Sequence, residues 1–600
     1  MFFLKCKQFF KSPVLVLATV LYFTWIIKKL LPGMISEEGS VADAMTFPLV
    51  FIPVSFVFFM FFSYALFSRE GKSKVNEVIL TCRNGKVRSC FCDLCLILFI
   101  NAFILLLFIL FLGLQCDKAL GSVQMDVLWF GIRCYLIHII LVNIFASLTG
   151  MAVSLIKNEI KAFAVMILLC CCFSQFFLES FYRLTGDHLD LQHMMDLFGL
   201  TTRMYHATAD YDYIFSVESV DLQRILFWIF LVLTILAYHL LQRKKRFFAS
   251  CCGAVTVLLL VLYMLPNGAS YINIDMNAEN ISDAYDEEDR YYTTHTEQTG
   301  SLEHHESEED FKITKYVADI HVNRILKADV EVYVDKPELE TYMFSLRHEY
   351  RVTSVEDERG EQLNYRQEGD WITLQPEDAG KHSKFVFHYQ GASKKFYSTS
   401  QAVRLPAYLA YLPFSGKRYL FLDFVQKYGE QDVSQVLYDG PVLEGPGYKT
   451  EYDITVDSSL KLYSNLPEIE SNHFHGISDG VTLMANTFLN AEEISGVRVV
   501  HSKADPRYFL HNAETDDDMR KIWRSFIVEN DLQGKTIFAL GVVHGLDDNY
   551  RYFGEDHLVL MAPCTDQYQT FLKTGKHPYY EELTEEEILK DLEALNSAAE

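Results

Sequence analysis

The sequence predicts an α-helical polytopic membrane bundle of about seven spans, followed by an extracytoplasmic β-sandwich with a small α/β C-terminal piece. Apolar runs of membrane length occur only before residue 266. The first 266 residues carry a net charge of +5 and the remainder −30, which together make the −25 of the whole chain. After residue 312, short alternating apolar runs lie between Gly, Pro, Asp and Asn residues, a pattern typical of strands.

Seven apolar runs approach the ~20 residues that cross a hydrocarbon core. The first is interrupted by Lys28 and Lys29, whose long side chains can reach the interface. Six further runs follow it, which argues against a cleaved signal peptide. The runs are 13–31, 47–67, 94–114, 127–153, 162–180, 225–241 and 247–265.

Basic connections alternate with neutral or acidic ones along this first part. The basic ones are the N-terminus, the loop 68–91, the short loop with Lys157 and Lys161, and the segment 242–247. Because Lys and Arg are enriched in cytoplasmic loops, we expect these four connections in the cytoplasm. The chain is then a multi-pass protein of the cell membrane with a cytoplasmic N-terminus, and residues after about 266 are extracytoplasmic.

Four regions follow from composition. Residues 1–265 form the transmembrane, permease-like domain, 266–311 an acidic linker, 312–505 the exterior β-sandwich, and 506–600 a small mixed helix and strand region. Twelve of the 13 cysteines lie in or beside the spans, and the exterior part has only Cys564. No disulfide framework is therefore expected outside the membrane.

The loop between the second and third spans combines positive charge with a short amphipathic helix. Residues 68–91 carry six Lys or Arg and two acids, and "VNEVIL" has helical apolar spacing before an Asn84-Gly85 turn signal. Together with "FFKSP" before the first span, this loop resembles the permease subunits of the type-two class of ATP-binding-cassette transporters. The resemblance covers residues 1 to about 245; the seventh span departs from the family's usual six.

The resemblance implies that the loop docks on an ATPase subunit. The docking residues that it implies are Glu70, Gly71, Val78, Leu80, Arg83 and Arg88. The alternative is that the basic loop acts only as a topology signal. The chain has no G-x-x-x-x-G-K-[ST] motif, because Leu66 stands where the first Gly of "EGKS" at 70–73 would belong. No cofactor is expected in this chain, and ATP and Mg²⁺ are expected on a partner subunit.

The implied partners are a cytoplasmic ATPase subunit, a second permease subunit in a homo- or heterodimer, and membrane lipid. Nothing in the sequence points to nucleic acid. Inside the fourth span lie Arg133, His138 and Asn143, and polar groups in lipid usually face a bundle interior. They are candidates for a translocation path. The alternative is that Arg133 reaches the interface while the other two bond between helices.

The exterior part carries a second resemblance. "FHYQG", "YLAYLPF" and "YDITVDSSLKLYSNLP" occur in that order and resemble the non-catalytic N-terminal β domain of the zinc aminopeptidase N family, over about 315–505. "YRYFGEDHLVLMAP" at 550–563 resembles the start of that family's catalytic domain. The H-E-x-x-H zinc motif is absent, and "HEYRV" at 348–352 has Val352 in the fifth position, which cannot ligate.

We therefore do not predict an enzyme, and we predict neither a catalytic nor a metal site. "GISDG" around Ser478 matches G-x-S-x-G, but an apparent strand follows it, so a hairpin turn is expected. His473 and His475 are interpreted as an exposed pair. The predicted function is the permease subunit of an ATP-driven exporter, with an exterior domain that binds substrate or a partner. The alternative is a membrane-anchored, catalytically incomplete aminopeptidase-like scaffold.

Overall fold

The computed structural model divides into two compact units. The first comprises Met1–Thr208 with Ile214–Ser270, and the second Ala209–Tyr213 with Tyr271–Glu600. The residues that the structure describes are 2–35, 41–72, 85–120, 123–174, 176–178, 180, 194–200, 219–240, 247–264, 291–292, 294–301, 309–322, 325–375, 382–391, 393, 396, 398, 402–423, 442–443, 447–486, 488–494, 496–502, 524, 527–528, 531–540 and 551–561.

The first unit is helical in the part of it that the structure describes. A 3₁₀ turn at Phe47–Phe51 precedes the fourth helix, and a π-helical turn at Leu136–Ile140 joins the sixth to the seventh. The helices are α1 (Phe2–Phe10), α2 (Pro13–Ile35), α3 (Val41–Thr46), α4 (Ile52–Lys72), α5 (Gly85–Leu120), α6 (Met125–Tyr135), α7 (Leu141–Val153), α8 (Glu159–Cys172), α9 (Ser219–Leu240) and α10 (Phe247–Met264).

Several of these helices are long and apolar enough to cross a membrane, which indicates membrane association. Among the described residues the five that qualify by length and composition are Pro13–Ile35, Val87–Lys118, Met125–Val153, Val220–Leu240 and Phe247–Met264. The second and fifth predicted runs also form helices, but Ile52–Ser68 and the 14-residue α8 are shorter. The number of crossings and their orientation therefore stay predictions.

The second unit is β-rich, as the alternating sequence pattern predicts. Its strands are β1 (Thr299–Ser301), β2 (Ile313–Val322), β3 (Leu326–Val334), β4 (Tyr342–Ser345), β5 (Tyr350–Asp357), β6 (Tyr365–Glu368), β7 (Trp371–Leu374), β8 (Lys384–Gly391), β9 (Ala402–Leu405), β10 (Phe414–Ser415), β11 (Phe421–Asp423), β12 (Val442–Leu443), β13 (Thr450–Asp457), β14 (Tyr463–Ser464), β15 (Glu468–Glu470), β16 (His473–Ser478), β17 (Leu483–Asn486), β18 (Leu489–Ile494), β19 (Val497–Ser502), β20 (Thr536–Leu540), β21 (Arg551–Phe553) and β22 (His557–Met561).

Two sheets pack face to face around the main core of this unit. One has the order β15-β16-β13-β2-β3-β8-β5 and the other β10-β4-β7-β6. All neighbouring pairs are antiparallel except β2 and β13, which run parallel. Aromatic rings of β4 meet those of β8, with centroids 4.7 Å apart for Tyr342 and Phe385 and 4.9 Å apart for Phe344 and Phe387.

The alternation of side chains along β3 shows why this segment is a strand. Val330, Val332 and Val334 are buried, as their period of two predicts, while the residues between them face outward or are half-buried. Each buried valine contributes about 1.5–3 kcal/mol relative to an exposed one. The β-branched valines also fit the pleated surface, so propensity and burial favour the same conformation.

A third sheet crosses the domain boundary predicted at 505/506. Its order is β12-β21-β22-β20-β19-β18, and β19 pairs in parallel with β20 so that Val499 lies opposite Ile537. The predicted sandwich and the predicted C-terminal region thus share one sheet. The sequence contains no local signal of this pairing, because parallel partners are joined by a long crossover.

Residues 291–301 differ from the solvated linker predicted for 266–311. Tyr292 is 1% exposed and its hydroxyl donates to Asp370 at 2.6 Å. Thr299–Ser301 pairs in parallel with Phe421–Asp423. The acidic composition of the segment predicts solvation, but its aromatic side chains bury enough apolar surface to hold this part on the β unit. Residues 265–290 lie outside the described residues.

The last residue of β5, Asp357, has a carboxylate whose ionisation stabilises the fold. Asp357 Oδ1 accepts hydrogen bonds from the backbone N–H of Arg359 at 2.8 Å and of Glu361 at 2.9 Å. Burial acts to raise the pKa of Asp357, but these donors and His382 outweigh it, so the pKa lies below its ordinary value. The carboxylate therefore contributes stability above the unfolded-state pKa of about 3.9. That stability is lost as the pH falls through the lower folded-state pKa.

We expect Asp357→Asn to flatten the acid side of the stability–pH curve of the β unit. Asn keeps an acceptor oxygen for the turn but has no charge to titrate. Thermal unfolding of the full chain, followed from about pH 3 to pH 7, measures the slope. The control is Asp319→Asn, which changes an exposed carboxylate on β2. Equal slopes in the two variants would contradict the prediction.

Candidate functional site

The N-terminal helix has two different faces. Phe3 is 86% exposed and Phe10 71% exposed, and they lie seven residues apart on one face of α1. Lys5 and Phe9 are buried on the opposite face. A helix with exposed aromatic residues on one face and interspersed lysines is typical of the membrane interface.

The buried face of α1 holds it against two other helices. Lys5 Nζ donates to Asp93 Oδ2 on α5 at 2.7 Å, and both side chains are almost fully buried. The Phe9 ring packs edge-on against Phe62 of α4, with centroids 5.9 Å apart. We call these four residues, Lys5, Phe9, Phe62 and Asp93, the N-terminal platform. It joins α1 to both helices that flank the basic loop.

The turn between α1 and α2 follows from the sequence "KSP". The N–H of Ser12 donates to the carbonyl of Phe9 at 2.9 Å, which closes α1. The Ser12 hydroxyl then accepts from the N–H of Leu15 at 3.4 Å, so that Ser12 caps α2. Pro13 occupies the first helical position, where its missing N–H costs nothing. The sequence thus specifies a short, fixed join between α1 and α2.

The predicted docking residues lie next to the platform in the chain. Glu70 and Gly71 belong to the last turn of α4, and Arg88 is exposed in the first turn of α5. Val78, Leu80 and Arg83 lie outside the described residues. The structure therefore places the two ends of the loop and leaves the docking role of these six residues a prediction.

The candidate translocation residues do not share one environment. Arg133 is exposed on α6, whereas His138 is buried within the π-helical turn. Asn143 on α7 is fully buried, and its Nδ2 donates to Oδ1 of Asn101 on α5 at 2.8 Å. Asn101 in turn donates to the carbonyl of Ile97 at 3.0 Å. Interhelical bonding, one of the two interpretations of Asn143, is present.

Asn101 is a residue that the sequence analysis misses. It lies in the third apolar run, where an amide is as costly as in the fourth. A search for polar residues in every span would have identified it, but not its partner. The Oδ1 of Asn143 has no hydrogen-bond partner among the described residues. A polar pair thus connects the interiors of α5 and α7, and a π-helical turn of the kind often found at functional sites lies just before α7.

In the β unit, the segment that partly matches a zinc motif has a packing role. His348 Nδ1 lies 3.0 Å from Asp370 Oδ1, and its ring stacks on Tyr291 with centroids 3.5 Å apart. Val352 is buried within β5. His348 therefore anchors residues 291–292 to the sheet, and nothing in this arrangement resembles a metal ligand set.

The other two motif matches are also structural. The hydroxyl of Ser478 is buried, donating to the carbonyl of Gly480 at 2.6 Å and accepting from Asn465 at 3.1 Å. The expected strand follows at β17, but the expected hairpin is wrong, because β16 and β17 belong to different sheets. His473 pairs with Asp453 at 2.7 Å on the neighbouring strand.

A cavity of about 450 Å³ lies between strands of three sheets in the β unit. Two of its lining residues are cationic, Lys461 and Arg498, and one, Glu468, is acidic. Burial lowers the pKa of the Arg498 guanidinium from its ordinary value, and Nη1 donates to the Ser464 carbonyl at 2.9 Å. The remaining lining residues are Leu462, Tyr463, Asn465, Leu466, Pro467, Phe474 and Ala491. The cavity lining thus combines apolar side chains with two basic groups and one acidic group.

The sequence matches no protein-family model and no curated protein. Parts of the chain are similar to solved structures of the M1 aminopeptidase family. Yeast LTA4 hydrolase in complex with bestatin is 13% identical with a TM-score of 0.27, over 42% of this chain and 40% of that chain. An M1 zinc metallopeptidase from Deinococcus radiodurans is 10% identical with a TM-score of 0.29, over 45% and 64%. The chain thus spans less than two thirds of either structure.

Proposed function

We propose that this chain is the membrane-spanning permease subunit of an ATP-driven exporter, in which a separate cytoplasmic subunit hydrolyses ATP. The observation that supports this most is the N-terminal platform. A topology signal requires only positive charge in the loop. Here the interfacial helix is also oriented by a buried ion pair between Lys5 and Asp93 on the helix that follows the loop. Such an orientation has a use where a partner docks on this face.

Helix α5 offers a mechanical connection from the docking face to the bundle interior. Asp93 and Asn101 lie eight residues apart on it, which is about 12 Å along the axis. Force applied at the platform by two closing ATPase subunits would move α5 as a unit. The Asn101–Asn143 hydrogen bond then carries this displacement to α7. A second permease subunit, identical or related, would supply the other half of the pathway.

Co-purification from the native membrane tests the proposal. We expect the tagged chain to recover a soluble ATPase, and a variant with Glu70, Arg83 and Arg88 changed to Ala to lose it. The matched control changes Lys157 and Lys161 to Ala, which removes charge from another predicted cytoplasmic loop. Equal ATPase recovery from both variants would show that charge at 68–91 serves topology alone.

The same experiment addresses the alternative of a membrane-anchored, aminopeptidase-like scaffold. The cavity beside Arg498 favours a binding role for the β unit. Recovery of an extracytoplasmic partner with no ATPase would support the scaffold and contradict transport. Both the exporter hypothesis and the scaffold hypothesis include an exterior binding role. Recovery of an ATPase is therefore the observation that distinguishes them.

A further inference from the structure

A compact group of ligand-type side chains lies where three sheets of the β unit meet. Asp479 follows β16 of the seven-stranded sheet, and Asp556 and His557 lie at the β21–β22 turn of the six-stranded sheet. One ligand atom from each of these three residues lies within 4.8 Å of the others. Thr482, just before β17 of the third sheet, contacts the same group. We call Asp479, Asp556 and His557 the junction cluster.

The junction cluster is held in place by hydrogen bonds around it. His557 is fully buried, with Nδ1 2.7 Å from Asp556 Oδ1 and Nε2 2.9 Å from the Thr482 hydroxyl. Asn465 donates to the second oxygen of Asp556 at 3.0 Å, and the N–H of Glu555 donates to Asp479 at 2.9 Å. The side chains are thus positioned by the fold before anything binds, and a cation would displace the proton that His557 Nδ1 and Asp556 Oδ1 share.

A neighbouring tyrosine provides an independent sign of a ligand. Tyr552 is 1% exposed, and its hydroxyl has no partner at hydrogen-bond geometry among the described residues. It lies beside the backbone of Gly480 and Gly554, at the cluster, and burial together with the charge of the neighbouring Asp479 carboxylate and its interaction with the hydroxyl raises its pKa well above the ordinary value. Burying a hydroxyl without a well-formed hydrogen bond is costly, and the acceptor beside it, Asp479, belongs to the cluster.

We propose that the junction cluster binds one divalent cation of the zinc class, with Asp479, Asp556 and His557 as ligands. An imidazole nitrogen with carboxylate oxygens is a zinc ligand set, whereas Ca²⁺ and Mg²⁺ prefer oxygen ligands throughout. The second nitrogen of His557 already meets the Thr482 hydroxyl, as the second nitrogen of a metal-bound histidine does. A water in the remaining coordination position accepts a hydrogen bond from the Tyr552 hydroxyl. The cation cross-links the sheets, and this role is independent of transport.

Metal binding to the full-length chain in detergent, stripped with chelator and titrated with ZnCl₂, tests the inference. We expect one zinc per chain by elemental analysis, a rise in the unfolding temperature, and the visible absorption of four-coordinate Co²⁺ when cobalt replaces zinc. Asp479→Asn should weaken the zinc affinity by more than ~10–100-fold, which is the loss typical of removing a residue that only hydrogen-bonds to a metal ligand. Tyr552→Phe should weaken it about tenfold or more.

Two of the variants show whether a loss of zinc binding comes from a folding defect. Tyr552→Phe removes only a hydroxyl that makes no well-formed hydrogen bond among the described residues, so this variant keeps the packing of the strand. The matched control is Asp453→Asn, which removes the charge from another Asp–His pair, with His473, in the same unit. Unchanged zinc affinity in Asp479→Asn, no zinc bound by the folded chain, or binding of CaCl₂ in preference to ZnCl₂ would each overturn the inference.

Discussion

Replacing Lys5 with Met while Asp93 is kept should lower the free energy of unfolding of the helical unit by about 3–5 kcal/mol. Lys5 is 4% exposed and Asp93 is fully buried, so the substitution leaves a carboxylate with no counter-charge in a dry environment. Asp93 Oδ1 already has no hydrogen-bond partner among the described residues, so it depends on the contact made by its other oxygen. Thermal unfolding of the purified chain in detergent measures the loss.

A double variant distinguishes the destabilisation caused by an unpaired buried charge from the net contribution of the ion pair to stability. Lys5→Met combined with Asp93→Leu should recover most of the stability, because apolar replacement of a buried ion pair is often neutral or stabilising. Lys7→Met, which removes an exposed charge from the same helix, should change stability by no more than about 0.5 kcal/mol. A loss in Lys5→Met no larger than that in Lys7→Met would show that the ion pair does not hold the platform.

The platform also shows where sequence reasoning ends. The apolar runs predict the positions of the helices, since each run is a local property of the chain. They do not predict which helices touch: Lys5 and Asp93 are 88 residues apart, and Asn101 and Asn143 are 42 apart. From the sequence alone, an isolated Lys near the N-terminus is interpreted as a charge that orients the chain in the membrane. Its burial becomes visible only when α5 lies beside it.

The same distinction holds in the β unit. The alternation in β3 is local and predicts a strand correctly. The parallel pairing of β2 with β13 joins Lys315 to Glu451 across 136 residues, and no period in the sequence records it. The junction cluster depends on such pairings, because Asp479 and Asp556 meet only after the sheets have assembled. No short metal motif therefore exists for a sequence search to find.

The close contact of α4 with α7 gives the last prediction. A Cβ at Gly150 of α7 would overlap the carbonyl oxygen of Met60 and the hydroxyl of Ser63, and would lie 3.0 Å from the Met60 carbonyl carbon. A side-chain tip can rotate away, but a backbone carbonyl moves only if α4 moves. Small residues permit such close approach of helices in membranes. Gly150→Ala should therefore destabilise the helical unit by about 1–3 kcal/mol, the usual cost of overpacking.

The matched control is the same substitution at Gly113 of α5, where an added Cβ meets nothing within 4 Å. There Ala should stabilise the helix by about 0.5–1 kcal/mol, because glycine loses more backbone entropy on folding. The two alanine variants are thus expected to shift the unfolding temperature in opposite directions. Shifts of the same sign would mean that the higher helix propensity of Ala outweighs the steric overlap at Gly150. In that case α4 and α7 would have room to separate. Opposite shifts would show that α4 and α7 are tightly packed and move together, and the Asn101–Asn143 bond couples that movement to α5.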